Sequence, residues 1–135
     1  MPVRYLLDTD ISIYIAKHNP PEVRARFARH KAEELGMSVV TFGELRYGAE
    51  KSQARKKSLA VLKRLEEAIR VIPLSNTVGQ HYGQIRAALE KQGRLIGNND
   101  LWIAAHARAE GWILVTNNER EFSRIEGLRV ENWAV

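Results

Sequence analysis

The sequence contains no cysteine. Disulfide scaffolds, thiolate zinc sites and thiol nucleophiles are therefore excluded, and a reducing cytoplasm is the expected setting. Nor does any stretch approach the roughly 20 apolar residues needed to span a bilayer, so no membrane role is expected. The opening segment, Met1-Pro2-Val3-Arg4-Tyr5-Leu6-Leu7-Asp8, meets a carboxylate too soon to be a secretory leader. No internal repeat, low-complexity stretch or linker divides the 135 residues, a length that suits a single domain over 1–135. The four histidines, His18, His30, His81 and His106, are scattered without ligand spacing and read as structural or surface groups.

What is present is an ordinary globular balance, 44% hydrophobic and 27% charged, with an excess of base. Lys and Arg number 21 against 16 acids, for a formal charge of +5. A basic surface favours a polyanionic partner such as RNA, because phosphate neutralisation releases counterions. Lys51, Arg55, Lys56 and Lys57 lie together, with Lys63 and Arg64 one or two turns later. A solvated helix face explains this cluster as well as an RNA-contacting patch does.

Apolar runs and helical stripes alternate along the chain. Residues 3–7 read as a short buried strand ending at Asp8, followed by a helix over 11–16 that Asn19-Pro20-Pro21 stops. A helix over 22–34 is broken by Gly36, and 37–40 form a second strand. Thr41 then opens a helix over 42–50. Leu59, Leu62, Leu65 and Ile69 give the stripe of a helix over 56–70. A third strand at 71–74 leads to a helix capped by Ser75 or Asn76 and running to Lys91. Asn98 or Asn99 caps a helix over 100–109, which Gly111 closes. A strand at 112–115, a short helix at 118–124 and a strand at 128–130 complete the pattern. Strands alternating with helices predict an α/β fold with a mostly parallel sheet of about five strands flanked by helices.

In such a sheet the working crevice lies beyond the carboxyl ends of the strands. Three acids fall there. Asp8 ends an apolar strand, where a bare carboxylate is costly unless paired or bound to a cation. It could also cap the helix that follows, although Asp10 can take that duty. Glu44 follows the second strand, and locally Thr41-Phe42-Gly43-Glu44 reads as a capping box. Asp100 opens a helix, where the macrodipole alone would favour an acid. Clustered carboxylates repel unless a cation compensates, and an oxygen-only set suits Mg²⁺ or Mn²⁺.

The chain resembles a PIN-domain ribonuclease toxin of the VapBC toxin–antitoxin type over nearly its whole length. The resemblance is carried by Leu6-Leu7-Asp8-Thr9-Asp10, by Ser38-Val39-Val40-Thr41-Phe42-Gly43-Glu44-Leu45-Arg46-Tyr47-Gly48, and by Ile96-Gly97-Asn98-Asn99-Asp100-Leu101-Trp102-Ile103-Ala104-Ala105-His106-Ala107. It continues through Leu114-Val115-Thr116-Asn117-Asn118-Glu119-Arg120-Glu121-Phe122 and the closing Gly127-Leu128-Arg129-Val130-Glu131-Asn132-Trp133. It implies a three-layer α/β/α PIN fold and a Mg²⁺- or Mn²⁺-dependent endoribonuclease acting on structured RNA, in several relatives a transfer RNA. It further implies a homodimer and inhibition by a cognate antitoxin. Asp8 and Asp100 match the principal metal-binding acids, Glu44 the third acid, and Thr9 and Thr116 a threonine that helps hold the pocket.

The chain departs from the family pattern in two places. Asp10 stands where relatives often have Asn. Asn118 stands where many PIN domains carry a fourth acid, and Glu121 is the candidate to fill in, or else it forms a capping box with Asn118. Two other classes compete with the nuclease. Asp8-Thr9-Asp10 also resembles the opening of aspartate-nucleophile phosphatases, though Asn98-Asn99-Asp100 is a poor match to their metal motif. A silent PIN-like module that binds without cutting would explain Asn118. For association, Tyr47, Leu59, Leu62 and Leu65 offer apolar surface for a homodimer through the middle helices, or else simply core packing.

Overall fold

The structure, a computed structural model, describes residues 3–135; Met1 and Pro2, the start of the segment read against a secretory leader, lie outside the described residues. Five short parallel strands form one sheet: β1 (Tyr5–Leu7), β2 (Leu35–Ser38), β3 (Arg70–Ile72), β4 (Ile113–Val115) and β5 (Val130–Glu131). Their order is β3-β2-β1-β4-β5. The chain builds outward from β1 on one side through β2 and β3, then crosses to the other side for β4 and β5. The strand order thus reverses between β1 and β4, and a crevice opens at that point.

Side chains alternate across β1, and that alternation makes the three layers. Leu6 faces one way with Leu114 and packs under α5 (Asn76–Lys91) and α6 (Asn98–Glu110), against Val78, Ile85, Leu89 and Ile103. Tyr5 and Leu7 face the other way with Leu35 and Met37. They pack under α1 (Thr9–Lys17), α2 (Pro21–Phe27) and α4 (Arg55–Ala68), against Ile11, Ile15, Val23, Leu62 and Leu65. Each fully buried leucine contributes about 1.5–3 kcal/mol from burial alone. Leu62 and Leu65 therefore belong to this chain's own core, the packing alternative for them. Tyr47, expected beside them at an interface, is 65% exposed.

Several boundaries differ from the sequence reading. The expected helix over 22–34 ends at Phe27, and Ala32–Glu34 forms a single 3-10 turn. Gly36 does not break a helix: it lies within β2, where the Ile72 side chain of β3 occupies the space a Cβ would need. The second strand stops at Ser38, so Val39 and Val40 belong to α3 (Val39–Glu50). The cause is a cap, since the buried Ser38 hydroxyl accepts from the Val40 N–H at 3.1 Å. Thr41 is consequently inside α3, and the capping box expected there does not form. α6 starts at Asn98 with Gly97 in the capping place, while the Asn98 side chain accepts from the Tyr82 hydroxyl instead. Gly111 closes α6 as expected, at φ 73° in the left-handed region. Finally, α7 (Glu119–Phe122) is shorter than expected, and the Asn118 side chain does not cap it.

Candidate functional site

The crevice between β1 and β4 is built by the turns that leave the two strands. The backbone ladder runs one residue past β1, because the Asp8 N–H donates to the Val115 carbonyl at 3.0 Å. Asp8 is only 5% exposed. Its Oδ1 accepts from the Ile11 N–H at 2.9 Å, so Asp8 itself caps α1. The capping duty assigned to Asp10 is thus a correction: Asp10 sits exposed in the first turn, and Asp8 does the capping. Its Oδ1 closes the helix, and the Thr116 hydroxyl also hydrogen-bonds the carboxyl.

Burial pushes the Asp8 carboxyl up from its ordinary value to about 7. Hydrogen bonds from Thr116 and the Ile11 N–H pull the other way, while the negative charges of Asp10 and Asp100 add to the rise. Thr116 is fully buried at the end of β4 and holds a second group as well, accepting from the Asn118 N–H at 2.9 Å. Asp100, in the first turn of α6, rises to about 6, first through burial and then through Glu121, Glu44 and Asp10. The charges that add to these two shifts put Asp10 and Asp100 near Asp8, and Glu121, Glu44 and Asp10 near Asp100. Of the two candidates for the fourth corner, Glu121 carries charge to Asp100, and Asn118 contributes its backbone.

Glu44 is held by a chain of hydroxyls. The Thr9 hydroxyl lies 2.6 Å from Glu44 Oε1 and 3.3 Å from Thr41 Oγ1. A hydroxyl has one proton, and the short contact to the carboxylate claims it, so Thr41 donates to Thr9 and Thr9 to Glu44. Thr41 is fully buried. Its role as the anchor of this relay was missed in the sequence, where its place before Glu44 suggested a cap. The three-residue spacing that suggested the cap also sets both side chains on one face of α3.

Among the described residues, no three His, Asp or Glu side chains are placed to hold a metal ion together as they stand. The donor chemistry nevertheless fits a hard divalent cation, since the crevice offers carboxylate and hydroxyl oxygens alone. Asp8 and Asp100 are lifted by burial and by other acids, and no basic side chain figures among the causes of either shift. The histidines stay out of the site. His106 is buried beside Trp112 with its pKa lowered to about 4 by burial, His30 stacks on Trp133, and His81 accepts from Arg108.

Two open depressions adjoin the crevice. An apolar groove of about 500 Å³ runs between α1, α3 and α4, past Ile13, Leu45, Ala49 and Val61, and ends at Thr9 and Glu44. A second cleft, of about 670 Å³, leads from Thr9 and Glu44 along α3 to Tyr47 and Lys51, with Asn99 on its other side.

The PIN domain family matches residues 5–128. Ribonuclease VapC2 of Haemophilus influenzae is 46% identical over 131 residues, covering 97% of this chain and 98% of that protein. The tRNA(fMet)-specific endonuclease VapC of Shigella flexneri is 46% identical over 132 residues, covering 98% and 99%. Among solved structures, DNA-bound VapBC from Salmonella typhimurium contains a chain that superposes with a TM-score of 0.91 at 40% identity, over 97% of this chain and 98% of that one. VapBC2 from Rickettsia felis, bound to a DNA fragment from its promoter, gives 0.90 at 36% identity, over 97% and 99%. The strand order, the acid crevice and the extent of these matches agree: the chain belongs to the PIN-domain family, on its VapC branch.

Proposed function

We propose that this chain is a Mg²⁺- or Mn²⁺-dependent endoribonuclease, the toxin of a toxin–antitoxin pair, and that it cuts structured RNA, with transfer RNA the favoured substrate. The observation that carries the proposal is the acid crevice, where the buried Asp8 after β1 meets the half-buried Glu44 of α3 and Asp100 of α6, with no basic side chain among the causes that raise Asp8 and Asp100. Two similar proteins are named as a ribonuclease and as a tRNA(fMet)-specific endonuclease, which supports the substrate class. Membership of the PIN family also removes the aspartate-nucleophile phosphatase from contention.

In this reading Asp8 and Asp100 hold the cation through the oxygens that face the crevice. When bound, the ion neutralises charge on the phosphodiester and lowers the pKa of the attacking water. Glu44, fixed by Thr9 and Thr41, orients that water or binds the ion through it. Thr116 keeps Asp8 turned to the site, and Glu121 supplies the fourth carboxylate.

A cognate antitoxin is part of the proposal. The Salmonella and Rickettsia structures are VapBC assemblies, and a Mycobacterium tuberculosis structure similar to this chain is described as a member of the VapBC family of toxin–antitoxin systems. The apolar groove ending at Glu44 suits an inhibitory segment with apolar side chains along its length and a basic side chain at the carboxylates. A homodimer is proposed too, with light scattering at micromolar concentration as its check. Because Leu62 and Leu65 are buried in the core, its contact lies elsewhere than the face of α4 that carries them. Among the described residues no helix is long and apolar enough to cross a membrane, and the cytoplasm is the proposed location.

The test is incubation of the purified chain with transfer RNA and Mg²⁺, followed by mapping of the new RNA ends. Discrete cuts that vanish with EDTA and in Asp100→Ala are expected. Binding without products in either Mg²⁺ or Mn²⁺ would instead leave a silent RNA-binding module.

A further inference from the structure

The cleft along α3 has features that the acid crevice does not use. Tyr47 is 65% exposed, the most exposed aromatic named among the described residues. The ammonium of Lys51, one turn on, lies 4.8 Å from the centre of its ring. Lys51 has no carboxylate partner among the described residues, whereas its neighbours Arg46 and Arg55 both engage Glu50 at 2.7 Å. One turn before Tyr47 stands Gly43, where a Cβ would meet nothing within 4 Å. A glycine inside a helix costs about 1 kcal/mol relative to alanine. Here no neighbour demands it, yet it keeps the wall of the cleft low between Tyr47 and the acids. Tyr47, Lys51, Gly43, Asn99, Thr9 and Glu44 all line this one space.

We infer that this cleft is the subsite for the RNA strand next to the scissile phosphate, with Tyr47 stacking an unpaired base and Lys51 contacting the adjacent phosphate. The inference rests on the nuclease reading and names how the substrate is held. Electrostatics favours RNA over a second copy of the chain. A crevice of five acids repels a polyanion, and a free cation beside an exposed ring at its mouth is the complement such a strand needs. Stacking is selective for unpaired bases, because a paired base already has both faces covered. Asn99, across the cleft, adds an amide able to hydrogen-bond a base edge.

The test uses the full chain with Mg²⁺ and two probes, an RNA hairpin with an unpaired loop and the same stem fully paired. Steady-state cleavage of the hairpin should show a rise of about tenfold in KM for Tyr47→Ala, with kcat within about threefold. Tyr47→Phe should behave as the parent, since the ring and not the hydroxyl stacks. Lys51→Ala should raise KM and make its salt dependence shallower by about 0.7 in the log–log slope, the value of one phosphate contact on a single strand. Gly43→Leu, which has room to fold, should obstruct the cleft and raise KM. The paired stem should be indifferent to Tyr47. An unchanged KM in Tyr47→Ala would overturn the inference. So would conversion of a dimer to a monomer by Tyr47→Ala in light scattering, which would make the α3 face an interface between copies. If the parent cuts neither probe, the transfer RNA assay above decides the nuclease reading separately. Fluorescence anisotropy of the uncut hairpin then decides the subsite, which stands on an approximately tenfold weakening in Tyr47→Ala and falls without it.

Discussion

Two groups of carboxylates sit close together in this chain and in opposite electrostatic surroundings. At the end of α3, Glu50 is gripped by Arg46 and Arg55, and their guanidinium groups hold its carboxyl below its usual range. In the crevice at the other end of the same helix, Asp8 and Asp100 are pushed up to about 7 and about 6 by burial and by neighbouring acids. The chain has 21 Lys and Arg residues, yet none figures in the shifts of Asp8 or Asp100. A protein that neutralises the exposed Glu50 twice over leaves the buried Asp8 and the half-buried Asp100 without a basic side chain among the causes of their shifts. Glu50 is served by its own helix and the turn beyond it; the proposed cation would do the same for the crevice.

The sharpest way to break this contrast is to remove the crevice acids. Asp8→Ala and Asp100→Ala should each lower RNA cleavage by on the order of a thousandfold, with circular dichroism confirming that the protein stays folded. Retained activity in both would make the two groups equivalent.

Stability should then move the opposite way. Asp8 has a folded pKa above its unfolded one, so the folded state binds its proton more tightly. Its stabilising contribution is complete below about pH 3.8 and is lost as the pH rises through about 7. Above that pH, without metal, the ionised carboxylate destabilises the fold. Asp8→Asn keeps a good helix cap, and in EDTA at pH 8 it should gain roughly 2–4 kcal/mol in urea unfolding, with the gain vanishing at low pH. Saturating Mg²⁺ should stabilise the parent and erase the difference.

A smaller effect is expected at the hydroxyl relay. Thr9→Val preserves shape but deletes the donor to Glu44, and kcat should fall about tenfold while KM stays within about twofold. A change confined to KM would show that Glu44 needs no positioning. Smallest of all, Glu50→Ala should leave cleavage within about twofold, because an exposed ion pair contributes little. A large loss there would mean that the two groups are coupled along α3.

Much of this was legible in the residues themselves. Apolar residues before Asp8, the stripes of α4 and α5 and the Gly111 stop are local signals, and strands alternating with helices led to the parallel sheet. The failures arose where one specific partner, adjacent or distant in sequence, decided the outcome. Val39 and Val40 look like strand until the buried Ser38 caps them into α3. Gly36 looks like a breaker until Ile72 of β3 is found in its Cβ space. Glu44 looked like half of a capping box because its real partner, Thr9, opens α1, 35 residues away. For the fourth corner no local pattern separates Asn118 from Glu121, because the charge that reaches Asp100 from Glu121 acts across the fold.

The placement of β1 between β2 and β4 also sets the order in which a ribosome can complete the molecule. Asp8 is made before Thr116, which restrains it and comes only after α5 and α6 have been synthesised. Until β4 docks, the emerging polypeptide has a first strand with one flank open and an aspartate that no threonine restrains. The crevice is therefore among the last parts to form during translation. A partly made chain that stops short of Thr116 carries Asp8, Glu44 and Asp100 without the threonine that restrains the first of them.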